Sequence, residues 1–201
     1  AVVVILHLHS AYGEPWGKSI WNGLFHSVSA FNNAGFSTYS DSLMGFSADP
    51  LILLPLSAAI IVSGLGFPVI NELRSEWRTP ARWSIHARLT VYGTVGLLVA
   101  GFLAVLFAEW NNGGTIGEMA SGSKFLNAFA HSVMSRTAGF NAVDVGEMRP
   151  ETLLFTDGLM LIGGGSAGTA GGIKVTPFLL LRAVLWPALR RPSPATAPPP
   201  R

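Results

Sequence analysis

Long uncharged runs alternate along the chain with short runs that mix apolar and polar residues. Leu51 to Ile70 and Leu89 to Ala108 each hold twenty residues without a charge, the length that crosses a bilayer core at about 1.5 Å per residue. Each predicts a membrane-spanning helix. Pro55, Gly64, Gly66 and Pro68 fall inside the first run, where neighbouring helices in a membrane satisfy the backbone groups that such residues free. Ala1 to Leu8 is apolar but too short to span, and its start in mid-run predicts the end of a truncated spanning helix, not a signal peptide. Trp16 to Phe31 and Lys124 to Ser135 have helical periodicity but are too short and too polar to cross. Each predicts a helix that enters from one face and stops part-way.

Leu153 to Ile162 resumes an apolar pattern interrupted by Asp157, and reaches only about half of a bilayer. Gly163, Gly164, Gly165, Ser166, Ala167, Gly168, Thr169, Ala170, Gly171 and Gly172 follow, six glycines in ten residues. At about 1 kcal/mol per glycine relative to alanine, a continuous helix here would lose on the order of 6 kcal/mol. The helix should break, and irregular backbone at membrane depth persists where protein or water satisfies it, so this segment should line a cavity. Helix is expected again over Phe178 to Trp186, and the five prolines between Pro192 and Arg201 predict a disordered tail.

The two short helices each lead into a glycine turn: Asn32-Asn33-Ala34-Gly35-Phe36-Ser37, and Arg136-Thr137-Ala138-Gly139-Phe140-Asn141. An offset of 104 residues places Gly35 on Gly139, Phe25 on Phe129 and Phe36 on Phe140, with His26-Ser27-Val28 one residue out of step with His131-Ser132-Val133. This is an internal repeat. Its order of parts is that of a re-entrant pore loop: a short helix, a small-residue turn, a polar outer stretch and a long apolar run. The negative end of each helix dipole would face whatever lies beyond the turn, an arrangement that favours a cation.

Charge orients the loops. Asn71 to Arg88 carries four arginines against two acids and predicts a cytoplasmic connector. Ser10 to Pro50 has Lys18 against Glu14, Asp41 and Asp49, and Glu109 to Glu151 has three basic residues against five acidic ones, so both re-entrant loops should enter from outside. The domain reading is therefore 1–72 as one pore-loop repeat with its first helix truncated and 73–88 as connector. Residues 89–187 form a second repeat with the glycine-rich loop, and 188–201 the tail.

Composition narrows the class. The chain has 201 residues, 12% of them charged, and a net charge of +2, about half the charge of an ordinary soluble domain. A membrane protein is the natural class, and a nucleic-acid binder is not. No cysteine is present, which removes thiolate metal sites, disulfides and a cysteine nucleophile.

For the paired glycine turns, the functional reading is an ion filter in which successive backbone carbonyls replace a cation's hydration shell; the bland one is two ordinary outer turns. Gly163, Gly165 and Gly168 satisfy G-x-G-x-x-G, but no acidic residue follows Asp157 to hold a ribose, and Lys174 follows Ile173, which breaks a P-loop. A flexible intramembrane gate is the better account. Lys174 would either snorkel to the cytoplasmic side or make a gating contact. Arg136 is expected to anchor its turn through an acid such as Asp144 or Glu147. His7 and His9 form an H-x-H pair without an evident third metal ligand, and His26 and His131 fit packing or hydrogen bonding better than catalysis. No Ser-His-Asp order and no spaced carboxylate pair suggests an enzyme.

Phe25 to Ser37, Ser135 to Asn141 and Gly164 to Lys174, in that order, closely resemble the Trk/Ktr/HKT superfamily of potassium transporters. The resemblance covers nearly the whole chain apart from the tail. It implies an all-α membrane fold of helix-pore loop-helix repeats like those of potassium channels, with four repeats around one pathway, of which this chain looks like the second and third. It implies that Gly35 and Gly139 are filter glycines, with Asn32, Asn33 and Ala34 and Arg136, Thr137 and Ala138 supplying carbonyls to K+. It also implies that Gly163 to Gly172, with Lys174, obstructs the pathway beneath the filter. Homodimers, a cytosolic nucleotide-binding regulatory subunit, a plasma-membrane location and no cofactor besides the transported ion follow from the same likeness. Glycine at both positions favours potassium, and a different residue in another loop would admit sodium. The competing class is a membrane structural or assembly protein whose glycines serve helix packing alone.

Overall fold

A computed structural model describes residues 1–178, 180 and 181. Among them seven α-helices carry the fold: α1 (Val2–Tyr12), α2 (Trp16–Phe31), α3 (Pro50–Leu65), α4 (Phe67–Glu76), α5 (Ile85–Glu109), α6 (Ser121–Met134) and α7 (Pro150–Leu161). Another helical stretch starts at Val175; most of the expected Phe178 to Trp186 helix and the proline-rich tail lie outside the described residues.

Local chemistry sets the boundaries. The Asp49 carboxylate accepts from Leu51 N at 2.9 Å and Pro50 fills the first turn of α3, where its missing N–H has no intrahelical partner to lose. Ser84 caps α5 by accepting from Ala87 N at 3.1 Å. Glu72 in turn accepts from the Ser84 backbone N–H and from its hydroxyl, and these bonds, the backbone one foremost, hold its carboxyl below the ordinary glutamate range. Gly13 closes α1 in the left-handed conformation at φ 65°.

The first expected span is broken. In place of one helix over Leu51 to Ile70, α3 and α4 meet at Gly66 with a bend of 98°. Proline is the cause. In a continuous helix the Gly64 carbonyl would accept from the N–H four residues on, and that residue is Pro68, which has none. Gly66 then adopts φ 88°, a conformation open to glycine at little cost. The stretch read as a charged connector is partly helical, with α4 running to Glu76 and a 3-10 turn at Pro80–Arg82. By contrast α5 has 25 residues and, among the described residues, is the one unbroken helix long and apolar enough to cross a membrane.

The central core joins both halves of the chain. Leu53, Leu56 and Ile60 of α3 pack with Val133 and Met134 of α6 and with Ala30 at the end of α2. On the far side α5 lies along α6, with Gly101 against Ser132, whose hydroxyl donates to Leu98 O at 2.8 Å. The ends of α2 and α6 are thereby held side by side.

Glu109 organises the C-terminal end of α5. It is fully buried and accepts from Thr115 Oγ1 at 2.8 Å, Asn112 Nδ2 at 2.6 Å, Arg149 N at 3.0 Å and the Thr152 hydroxyl. A carboxylate surrounded by donors is among the stronger hydrogen-bonding centres, and removing it strands the Arg149 N–H and the Thr152 hydroxyl and takes one acceptor from Asn112 and Thr115. Glu109→Ala in the full-length protein is therefore expected to cost about 2 kcal/mol or more of stability. A lowered thermal midpoint in detergent, partly restored by Glu109→Gln, checks this.

Candidate ion-coordinating site

The two glycine turns lie against each other at the C-terminal ends of α2 and α6. Ala34 N donates to Ser29 O at 2.9 Å, and Ala138 N donates to Met134 O at 3.0 Å, so each turn grows directly from its helix. Each helix thus ends with its partial negative charge at the turn.

The turns share a backbone pattern. Asn33 and Gly35 have φ of 50° and 72°, and Thr137 and Gly139 have φ of 68° and 78°. Residues 34 and 138, between them, are not left-handed. Alternating handedness rotates successive peptide units so that neighbouring carbonyls face one side, the requirement for a column of oxygens around a dehydrated cation. The pattern falls on the same 104-residue offset as the sequence repeat. Thr137 is the costly member, because a β-branched residue at positive φ is a genuine outlier. Its hydroxyl accepts from Gly171 N at 2.8 Å, which helps to hold it.

The glycines are in backbone contact. A Cβ placed on Gly35 would sit 2.6 Å from Gly139 Cα and 2.7 Å from Ala138 O. Asn32, Ala34 and Gly139 are exposed, whereas Arg136 and Ala138 are buried. Any passage formed by these turns therefore lies on the open side they share, not between them.

The glycine-rich segment, Gly163 to Gly172, is non-helical as expected and lies under both turns. Its ends are tied together: Gly163 N donates to Ile173 O at 3.0 Å and Ile173 N to Leu161 O at 2.9 Å. Its middle docks on the break between α3 and α4. Gly165 N donates to Gly64 O at 2.7 Å, the carbonyl that Pro68 leaves free, and Thr169 N donates to Ser63 O at 3.3 Å. Its upper edge reaches the turns. Thr169 Oγ1 accepts from Asn33 Nδ2 at 2.8 Å and donates to Phe31 O at 3.1 Å, while Gly171 N meets Thr137. Space is minimal here, since a Cβ on Gly66 would collide with Ser166 O and one on Gly163 with Gly171 O.

Arg136 departs from expectation. Arg136 pairs with neither Asp144 nor Glu147; it is buried, and its Nη2 donates to Gly163 O at 2.9 Å. The reason is direction: the side chain points to the neck of the glycine loop and not to Asp144 or Glu147. Lys174 makes a contact within the loop, donating to Ala170 O. Asp157 is exposed on α7. His26 bonds Asn22 O at 2.7 Å and Ser37 Oγ at 2.9 Å, and His131 bonds Thr156 Oγ1 at 3.1 Å, in line with their reading as packing or hydrogen-bonding residues. His7 lies 2.6 Å from Asp49 and His9 stacks on Trp16. No cluster of three metal-ligating side chains occurs among the described residues.

Comparison with known proteins follows the same lines. The family model described as TrkH, cation transport protein, matches residues 1–193. The chain belongs to the TrkH cation transport family. Within that family's reach, it is 41% identical over 177 residues to the Ktr system potassium uptake protein B of Vibrio alginolyticus, covering 88% of this chain and 39% of that protein. It is 38% identical over 166 residues to the potassium/sodium uptake protein NtpJ of Enterococcus hirae, covering 83% and 36%. The crystal structure of the potassium transporter TrkH from Vibrio parahaemolyticus superposes with a TM-score of 0.70 at 23% identity, over 94% of this chain and 39% of that one. The all-α TrkH fold is thus shared, and the chain spans about 40% of the length of the relatives it matches. It is a membrane protein of a transporter family.

Proposed function

We propose that the full-length protein takes up potassium ions across the cell membrane. Asn32 to Gly35 and Arg136 to Gly139 form two quarters of its selectivity filter, and Gly163 to Gly172 with Lys174 act as the gate. The observation that carries this reading is the matched left-handed pair in each turn, Asn33 with Gly35 and Thr137 with Gly139. A protein that used its glycines for helix packing alone would have no need to hold threonine at positive φ twice removed from a glycine. The names of the family relatives, potassium uptake and potassium/sodium uptake proteins, support the substrate class.

A ring needs further loops. The apolar stripe Trp21, Leu24 and Val28 on α2 is exposed, together with Phe36, although α2 is too short to present a spanning face to lipid. That stripe fits the flank of a neighbouring pore-loop repeat. The boundaries that follow are one repeat over 1–72, a cytoplasmic connector over 73–88 and a second repeat over 89–187. The filter loops face outward, and the full-length subunit forms a homodimer that binds a cytosolic nucleotide-binding regulator. Sodium enters as a second cargo if another loop lacks glycine.

The test is complementation of cells deficient in potassium uptake with the full-length protein, followed by rubidium uptake. Gly139→Asp is expected to remove growth on low potassium while the protein still reaches the membrane. Unchanged growth and uptake would refute the filter role.

A further inference from the structure

Three residues that each carry a buried side-chain atom without a hydrogen-bond partner among the described residues line one small cavity. Asn33 Oδ1, Thr94 Oγ1 and Arg136 Nε are half of the six such atoms in the described structure. All three residues line a cavity of about 20 Å³, whose lining also includes Gly164 and Ala170 of the loop. They come from three different places: the first glycine turn, the middle of α5 and the second glycine turn.

Each atom states what it lacks. Arg136 Nε–H is a donor without an acceptor, the Asn33 carbonyl oxygen an acceptor without a donor, and the Thr94 hydroxyl oxygen can accept. Leaving such groups buried and unpaired costs about 1 to 3 kcal/mol each, and more where a charge is involved. Arg136 makes the cost acute, since it is 7% exposed and forms no ion pair among the described residues. A cavity of this volume holds about one water, and buried waters ordinarily make about three hydrogen bonds.

We propose that one ordered water occupies this cavity and joins the two turns, α5 and the glycine loop into a single unit. It accepts from Arg136 Nε–H and donates to Asn33 Oδ1 and Thr94 Oγ1, satisfying all three. Thr94 is thereby a positioning residue. It fixes Arg136 through the water, and Arg136 Nη2 fixes the loop neck at Gly163 O. Asn33 contributes both of its amide ends, Oδ1 to the water and Nδ2 to Thr169, so the water and the loop's upper contact share one side chain. The site stands on burial and geometry alone, whereas its effect on flux rests on the transport reading.

The experiment separates the two. A density map of the full-length protein fine enough to show waters should contain one peak within about 3 Å of all three atoms. The peak should vanish in Thr94→Val, which keeps the shape and removes the hydroxyl, and persist in Thr94→Ser. Absence of the peak in the parent protein, or its survival unchanged in Thr94→Val, overturns the proposal. So does an anomalous bromide signal at the site, which would make it an anion site. If the density arm succeeds, Thr94→Val should also raise unstimulated rubidium uptake about threefold, the effect of one water-mediated bond, with Thr94→Ser near the parent value. An unaltered flux with the water lost would separate the site from gating and leave the potassium reading to its own test.

Discussion

Gly35→Ala in the full-length protein is expected to reduce rubidium uptake at least about tenfold, and Gly35→Asp about 100-fold or more. Two costs add. The residue has φ 72°, which an L side chain adopts at a penalty of about 1 to 2 kcal/mol. The new Cβ would also lie 2.6 Å from Gly139 Cα and 2.7 Å from Ala138 O, backbone atoms that cannot turn away. Strain of about 3 kcal/mol at such a site corresponds to roughly two factors of ten. Aspartate adds a fixed negative charge where carbonyl dipoles would otherwise act, so ions that enter leave slowly. Gly122→Ala is the matched control, since a Cβ there meets nothing within 4 Å. Uptake measured with equal membrane levels of each variant checks the prediction, and a Gly35→Ala variant as active as the Gly122→Ala control would refute it.

Thr169→Val should raise uptake in the resting state about thirtyfold. The substitution keeps the volume of the side chain and removes both of its contacts to the first turn, from Asn33 Nδ2 and to Phe31 O. Each is a modest bond, about 1 kcal/mol net. If the loop is a gate held shut against the turn, weakening its upper edge shifts the population toward the open form by the same free energy. Shortening Gly163 to Gly172 by several residues should act in the same direction and more strongly, because it removes the Gly165 and Thr169 anchors to the α3–α4 break as well. Resting flux unaltered in both would count against a gate. Flux lowered in both would assign the loop to support of the filter.

Much of this arrangement is legible in the residues. The sequence placed α2 at the bounds the structure has, and α6 within a few residues, because their apolar positions recur at helical spacing and stop at a small-residue turn. Six glycines in ten residues were enough to expect a loop after α7. The break at Gly66 was harder to see. Leu51 to Ile70 carries no charge, and hydropathy alone reads it as one span. Its signal is a pair at spacing four: Pro68 cannot donate to Gly64 O, and a partner for that carbonyl lies a hundred residues away at Gly165. The partner of Arg136 was missed for the same reason. Charge complementarity on the sequence points to Asp144 or Glu147, but a backbone carbonyl at Gly163 carries no mark in the sequence, and only the packing of the second turn over the loop neck brings it within reach. The convergence of Asn33, Thr94 and Arg136 is likewise a property of three elements that sequence order keeps apart.

The tied neck of the glycine loop, where Gly163 and Ile173 exchange bonds with Ile173 and Leu161, has a kinetic consequence. Loop-closure entropy has already been spent at the neck, so under the proposed gating the nine residues above it, Gly164 to Gly172, would swing without drawing α7 along or sliding any helix against its neighbours. Release of the proposed gate would break the hydrogen bonds that the loop makes to the α3–α4 break and to the two turns. The rate of release should therefore rise gently with temperature and lie in the microsecond to millisecond range of local loop and lid motions, not with the steep activation enthalpy of unfolding. If the loop is the proposed gate, rubidium uptake by the full-length protein measured between cold and warm conditions would then rise gently with temperature rather than steeply.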